Sequence, residues 1–169
     1  MSKKQAESFE LYLNLIVKWN KSVSLVSHRD EISLIEKHLL DSAAGLVSSG
    51  IEDKEKITDL GSGNGFPAIP IKILLPDTIV DMVEVNQRKA AFLKEAVRVL
   101  EIQNINVLCE RVEDYEFSFT EKITARAFKP IEEIKKILLP SRFCGEIIVW
   151  EKRSGARVAK YPFCNVEKM

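Results

Sequence analysis

From residue 56 onward, short apolar runs alternate with helical stretches, and this alternation restricts the fold more than any other feature of the chain. The apolar runs predict strands at Ile57–Leu60, Ile79–Val85, Ile105–Leu108, Ile123–Ala127 and Glu146–Trp150. The intervening stretches predict helices at Ala68–Leu74, Gln87–Leu100 and Ile131–Leu138. This spacing is typical of βαβ units and therefore predicts an α/β fold with a mostly parallel sheet. Because parallel sheets bind ligands beyond the carboxyl ends of their strands, functional residues are expected directly after the strands.

Two amphipathic helices are predicted before the first strand. The first has one apolar face at three- and four-residue spacing, made of Phe9, Tyr12, Leu13, Ile16 and Trp19. The second runs from about Glu31 to Val47 and ends at Ser49-Gly50, with an inward face of Ile32, Ile35, Leu39, Ala43 and Leu46. We expect one domain over residues 1–169, with N-terminal helices in 1–50 and the α/β core in 56–169.

The composition excludes several classes of protein. With 46% hydrophobic and 30% charged residues, the 169-residue chain is neither disordered nor of low complexity. No apolar run is long enough to span a membrane, and the N-terminus lacks the apolar core of a secretory signal. Cys109, Cys144 and Cys164 form neither a CxxC pair nor a zinc pattern, so we expect buried or unreactive free thiols in a reducing cytosol and no metal site.

The charges are balanced over the whole chain but not along it. Lys plus Arg and Asp plus Glu both number 25. Residues 57–121 contain 6 basic and 11 acidic side chains, whereas residues 122–169 contain 11 basic and 5 acidic ones. The basic C-terminal third is compatible with a surface that faces phosphate, although the charge pattern alone favours scattered, solvated lysines.

The segment from Asp59 to Pro67, Asp-Leu-Gly-Ser-Gly-Asn-Gly-Phe-Pro, is a glycine-rich loop between a predicted strand and a predicted helix. Glycines allow a tight turn and a close approach of the backbone to a ligand. Glu84 lies nineteen residues after Gly65, at the end of the next strand, where an acid can accept both ribose hydroxyls of a nucleoside. Together these features predict a cofactor that contains a nucleoside.

The spacing of the glycines and the acid before them favour S-adenosylmethionine. The dinucleotide fingerprint is G-x-G-x-x-G, whereas Gly61, Gly63 and Gly65 follow G-x-G-x-G. Asp59, two residues before the first glycine, would repel a pyrophosphate but attract a sulfonium or an amino group. S-adenosylmethionine has both cations and no phosphate.

The sequence resembles the RsmG (GidB) family of bacterial small-subunit ribosomal RNA guanine-N7 methyltransferases between about Leu11 and Lys152. The matching motifs are Lys18-Trp19-Asn20-Lys21 with Leu25, His38–Ser42, Asp59–Pro70, Glu84 with Arg88–Leu93, Arg111–Asp114 and Arg126-Ala127-Phe128. The resemblance implies a Rossmann-like class I methyltransferase fold with an N-terminal helical extension. It also implies methyl transfer from S-adenosylmethionine to N7 of a guanine in 16S rRNA, position 527 in the usual bacterial numbering. The implied partner is the small ribosomal subunit, the implied compartment is the cytoplasm, and a monomer is expected.

The resemblance also assigns cofactor-binding residues. They are Asp59, Gly61, Gly63, Phe66, Glu84, Val112, Glu113 and Arg126. The two glycines and Phe66 would line the methionine part, and Asp59 would hold its amino group. Glu84 would bind the ribose, and the backbone of Val112-Glu113 would lie along the adenine.

Two basic residues are the catalytic candidates that the resemblance implies, Arg126 after the fourth strand and Lys152 after the fifth. Each is also compatible with a surface ion pair or simple solvated charge. Guanine N7 has a free lone pair, so no general base is required, and orientation would supply the rate. Because N7 is occupied during attack, we expect Arg126 to bind O6 or a phosphate.

The sequence departs from the family at Ser24, Ala125 and Arg153, where the family has Asn, Ser and Gly. Only 17 residues follow Lys152, which is enough for about one strand, so a shortened C-terminal edge hairpin is expected. Two alternatives stay open: a non-catalytic or degraded ribosome-binding or assembly protein that retains the fold, and a small-molecule methyltransferase.

Overall fold

The computed structural model describes residues 1–27, 40–150 and 158–164. Its helices are α1 Lys3–Asn20, α2 Leu40–Ser49, α3 Ala68–Leu74, α4 Gln87–Val99 and α5 Ile131–Leu138, with a 3-10 helix at Val112–Asp114. Its strands are β1 Lys56–Leu60, β2 Ile79–Val83, β3 Ile105–Leu108, β4 Lys122–Arg126, β5 Cys144–Trp150 and β6 Val158–Cys164. The predicted α/β alternation is therefore confirmed, with boundaries within two residues for the predicted strands and helices of the α/β part.

The six strands form one sheet in the order β3-β2-β1-β4-β5-β6. The first five strands are parallel, and β6 runs antiparallel to β5 from Cys144↔Cys164 to Trp150↔Val158. The single strand expected after the fifth is β6. Since β1 has β2 on one side and β4 on the other, the segments that follow these three strands meet at one edge of the sheet.

Helices cover both faces of the sheet. On one face, α1, α3 and α4 share a core with Ile57 of β1 and Met82 of β2. On the other face, α5 packs with Phe117 and Phe143 over the remaining side of the strands. The apolar face predicted for α1 is buried, and the partly buried Trp19 packs edge-on against Phe92 with ring centroids 5.8 Å apart. Each such buried large side chain contributes about 1.5–3 kcal/mol, which fixes α1 against the sheet.

The predicted second helix is only partly within the described residues. Residues 28–39, with His38, lie outside them, and the helix is described from Leu40 to Ser49. It ends where the sequence predicts, because Gly50 leaves the helical region with a φ of 64°. Among the helices of the described ranges, none is long and apolar enough to cross a membrane.

The prediction of free thiols is wrong for two of the three cysteines. Cys144 and Cys164 lie directly opposite each other in the β5–β6 pairing, and their sulfurs form a disulfide. The reason is the hairpin register, which brings together residues separated by 20 positions. Cys109 is a free cysteine and is exposed.

Candidate functional site

Glu84, directly after β2, is hydrogen-bonded to the glycine loop. The N–H of Gly63 donates to Glu84 Oε2 at 2.8 Å, and the N–H of Asn86 donates to Oε1 at 2.8 Å. The Asn86 side chain then caps α4 by accepting from the N–H groups of Arg88 and Lys89 at 3.0 and 3.2 Å. Glu84 is only 6% exposed. One carboxylate thus holds the loop and the start of α4 together, and each of its oxygens retains a second lone pair.

The surface above the loop is open. The N–H groups of Gly61 and Ser62 donate to the carbonyl of Val83 at 2.9 and 3.2 Å, which ties the loop to the sheet. Gly63 has a φ of 56°, a region that favours glycine. A Cβ on Gly63 would meet only the carbonyl oxygen of Gly61, at 3.6 Å, so there is free space on that side of the backbone.

A cavity of about 340 Å³ lies beside the loop, at the carboxyl ends of β1, β2 and β4. It brings together four of the predicted cofactor residues, Gly61, Glu84, Val112 and Glu113. Its other lining residues are Val83, Val85, Lys89, Arg111, Ala127, Phe128 and Lys129. The apolar side chains among these residues, next to a carboxylate, suit a flat ring attached to a sugar, and the volume is within the range of small-molecule sites.

Asp59 lies behind the loop rather than on the wall of this cavity. It is 1% exposed, and its Oδ1 accepts a hydrogen bond from the Thr124 hydroxyl at 2.7 Å. Within the part of the chain that the structure describes, its Oδ2 is buried and has no hydrogen-bond partner. Burial raises the pKa of Asp59 from 3.8 to about 7, and the nearby Glu84 carboxylate adds to the rise. A buried carboxylate oxygen without a donor is costly, and a bound cation would satisfy it.

Arg126 ends β4 and contacts two other elements. Its guanidinium lies 5.8 Å from the centre of the Phe66 ring, and Nη1 donates to the hydroxyl of Ser42 at 3.4 Å. Phe66, near the end of the loop, is 3% exposed, and its ring packs in the core that α1, α3 and α4 share. The next residue, Ala127, has a φ of 52°, an unusual value for a residue other than glycine. After this turn Phe128 lines the cavity, whereas Arg126, predicted to bind the cofactor, is not among the lining residues.

Several site residues were not predicted from the sequence, and one that was predicted is not described. Phe128 packs on the loop, because a Cβ on Gly61 would lie 2.4 Å from its Cδ2. Lys89, within the recognised Arg88–Leu93 motif, also lines the cavity. Ser42 and Phe128 stand within motifs that were recognised, but without a role. Lys152 lies outside the described residues.

Comparison with known proteins identifies the family. The sequence profile of the GidB family, described as rRNA small subunit methyltransferase G, matches residues 5–155. The chain belongs to this family. The predicted resemblance is therefore confirmed over most of the chain.

Individual relatives agree with this family membership. The ribosomal RNA small subunit methyltransferase G of Ruthia magnifica subsp. Calyptogena magnifica is 41% identical over 127 residues, which are 75% of this chain and 61% of the relative. The methyltransferase G of Chromobacterium violaceum is 36% identical over 139 residues, 81% of this chain and 65% of the relative. The chain thus spans somewhat less than two thirds of the length of these curated relatives.

A solved structure of a SAM-dependent methyltransferase from Aquifex aeolicus has the same fold. It superposes with a TM-score of 0.53 and 17% sequence identity, covering 71% of this chain and 69% of that one. At this identity the likeness concerns the fold alone. The Rossmann-like methyltransferase fold expected from the sequence is confirmed, with α1 and α2 preceding the sheet.

Proposed function

We propose that this chain transfers a methyl group from S-adenosylmethionine to N7 of a guanine in 16S rRNA. The proposal rests mainly on the occurrence of two carboxylates at the same end of the sheet. Glu84 lies beside an open cavity, and among the described residues the buried Oδ2 of Asp59 has no hydrogen-bond donor. A nucleoside with a cationic amino-acid tail matches both features. Membership of the methyltransferase G family supports the rRNA substrate. The guanine at position 527 is the target that we expect, in the small subunit and in the cytoplasm, where ribosomes are assembled.

The described residues fit this cofactor. Glu84 has lone pairs for the two ribose hydroxyls while it still holds Gly63 and Asn86. Val112 and Glu113 line the same cavity and would lie along the adenine. Asp59 would hold the amino group, because an ammonium provides the donor that its Oδ2 lacks. The open side of Gly63 leaves room for the methionine part.

The chemistry requires orientation rather than proton removal. When bound, S-adenosylmethionine supplies an electrophilic methyl group on a sulfonium. Guanine N7 attacks with a lone pair that bears no proton, so the protein needs no general base. Arg126 is the residue that we place against the guanine, where its planar guanidinium can donate to O6 and fix the direction of N7. Phe66 and Ser42 hold this guanidinium in place.

A methylation assay tests the proposal. Small subunits or 16S rRNA that lack this modification are incubated with the chain and methyl-labelled S-adenosylmethionine, and the product is located by N7-specific strand scission. We expect label at one guanine with the wild type and none with Glu84→Ala. Glu95→Ala is the matched control, because it removes a partly exposed carboxylate of α4 that pairs with Arg98. It should retain activity.

Each outcome has a clear meaning. Label on a small molecule but not on RNA would support a small-molecule methyltransferase and contradict the rRNA substrate. Cofactor binding without any transfer would support a non-catalytic ribosome-binding protein. Absence of cofactor binding by the folded wild type would contradict the proposal as a whole.

A further inference from the structure

Tyr12 of α1 contacts the glycine loop although it is distant from it in sequence. The side chain is completely buried, and its hydroxyl donates to the carbonyl of Asn64 at 2.6 Å. Asn64 lies between Gly63, which is bonded to Glu84, and Gly65. A Cβ on Gly65 would be 2.8 Å from the tyrosine hydroxyl, so the absence of a side chain permits this approach. The helix therefore holds the middle of the loop from below.

The tyrosine ring contacts the loop at a second point. Its centroid lies 5.3 Å from that of Phe66, at an interplanar angle of 50°. Phe66 in turn lies 5.8 Å from the guanidinium carbon of Arg126. One side chain of α1 thus touches both the loop backbone and the aromatic ring that supports Arg126.

Core packing alone does not require the hydroxyl. The apolar face of α1 would be complete with phenylalanine at position 12, because the neighbouring buried residues are Phe9, Leu13 and Ile16. Burial raises the pKa of Tyr12 well above its usual value of 10, so the hydroxyl keeps its proton and remains a donor. The donor is aimed at the loop, and a partly buried carbonyl that loses its donor would favour local opening.

We propose that Tyr12 is a positioning residue, whose hydroxyl fixes the glycine loop in the conformation that receives the methionine part of the cofactor. The role rests on the proposed function, since it concerns the same cofactor. Tyr12 itself touches the loop and lies under it, so its effect passes through Asn64 and Phe66. The N-terminal helix is then a component of the cofactor site as well as a cover for the sheet.

The test compares Tyr12→Phe with Tyr115→Phe. Both changes remove only a hydroxyl from a buried or partly buried ring. The Tyr115 hydroxyl donates to Asp81 at 2.6 Å and accepts from Thr58 at 3.2 Å, and neither partner is in the loop. We expect both variants to lose thermal stability. Only Tyr12→Phe should bind S-adenosylhomocysteine more weakly in calorimetry, by about threefold to tenfold.

Hydrogen exchange of the ligand-free protein provides a readout that a purely structural role would not change. In Tyr12→Phe, amides of residues 61–66 should exchange several-fold faster than in the wild type, while Tyr115→Phe should leave them unchanged. Equal affinity and equal loop exchange in Tyr12→Phe and the wild type would overturn the proposal. Faster loop exchange in a protein that binds no cofactor would support the positioning role and contradict the proposed function instead.

A measurement on the wild type covers the case in which Tyr12→Phe does not fold. As denaturant is raised, the loop amides and the α1 amides around residue 12 should lose protection together, because the hydroxyl joins them. Loss of loop protection while α1 stays protected would overturn the proposal.

Discussion

Binding of the cofactor should depend steeply on pH because of Asp59. The pKa of this buried carboxyl is about 7, so most of it is protonated below neutral pH. An ammonium ligand prefers the ionised form, and the apparent Kd is the intrinsic Kd divided by the ionised fraction. Between pH 5.5 and 7.0 that fraction rises from about 3% to about 50%, which predicts affinity about fifteenfold higher at pH 7.0.

Calorimetry with S-adenosylhomocysteine over this pH range is the assay, because the α-amino group of the ligand, with a pKa of about 8, stays protonated there. Asp59→Asn should bind about tenfold to a hundredfold more weakly at pH 7.0 and show no slope. Asp81→Asn is the matched control. Although burial raises the pKa of Asp81, hydrogen bonds from Lys56, Tyr115 and Asn106 hold it below its usual value. This variant should keep the slope. A change of less than twofold in the wild type, or an equal slope in Asp59→Asn, would refute the reasoning.

The same carboxyl predicts how the stability of the ligand-free protein varies with pH. Its pKa is raised in the folded state, so its contribution is fully present below about pH 4 and is lost as pH rises through about 7. The difference between 3.8 and about 7 is equivalent to roughly 4 kcal/mol. Urea unfolding at pH 5 and pH 8 should therefore show a decline in the wild type that is absent from Asp59→Asn.

Three further predictions concern other residues. Glu84→Ala should weaken cofactor binding by about 2–4 kcal/mol, measured by calorimetry, because two hydrogen bonds to a charged acceptor are lost; unchanged affinity would remove Glu84 from the site. Arg126→Ala should lower the single-turnover rate by orders of magnitude, and Arg126→Lys should rescue it poorly, because a point charge cannot replace the planar fork. At saturating cofactor the single-turnover rate of the wild type should not rise with pH between about 6 and 9, and a tenfold rise per pH unit would reveal a general base. Asp81→Asn should destabilise the fold at pH 7 by roughly 2–4 kcal/mol, because the partly buried Lys56 loses its counter-ion. The pKa of Asp81 is lowered in the folded state, so the destabilisation should shrink as pH falls below about 4, and urea titrations that show a constant difference would contradict this reading.

The sequence predicts the elements well because their signals are local. The bounds of β3, α3 and α5 agree with the structure residue by residue. The periodicity of α1 also identifies Tyr12 as buried, but the partner of its hydroxyl is a backbone carbonyl 52 positions away. No local pattern contains that information, and the same is true of the pairing of Cys144 with Cys164, which depends on hairpin register.

The sequence predicts which residues form the site better than it predicts how they are arranged. The glycine loop and Glu84 meet as expected, because the ends of β1 and β2 are neighbours in any such sheet. The sequence predicts that Asp59 holds the amino group of the cofactor, but it does not predict that this side chain is almost completely buried behind the loop. Its raised pKa follows from that burial, which depends on helices packed from elsewhere in the chain.

The carboxylate of Glu84 also bears on how fast a ligand can bind. Since it accepts hydrogen bonds from the N–H groups of Gly63 and Asn86, the loop and the cap of α4 are in place before a ligand binds. The conformational entropy of ordering these segments is lost during folding and need not be lost again at the encounter. Association should then proceed in a single kinetic phase without a slow loop rearrangement, and affinity differences among nucleoside ligands should appear in their dissociation rates.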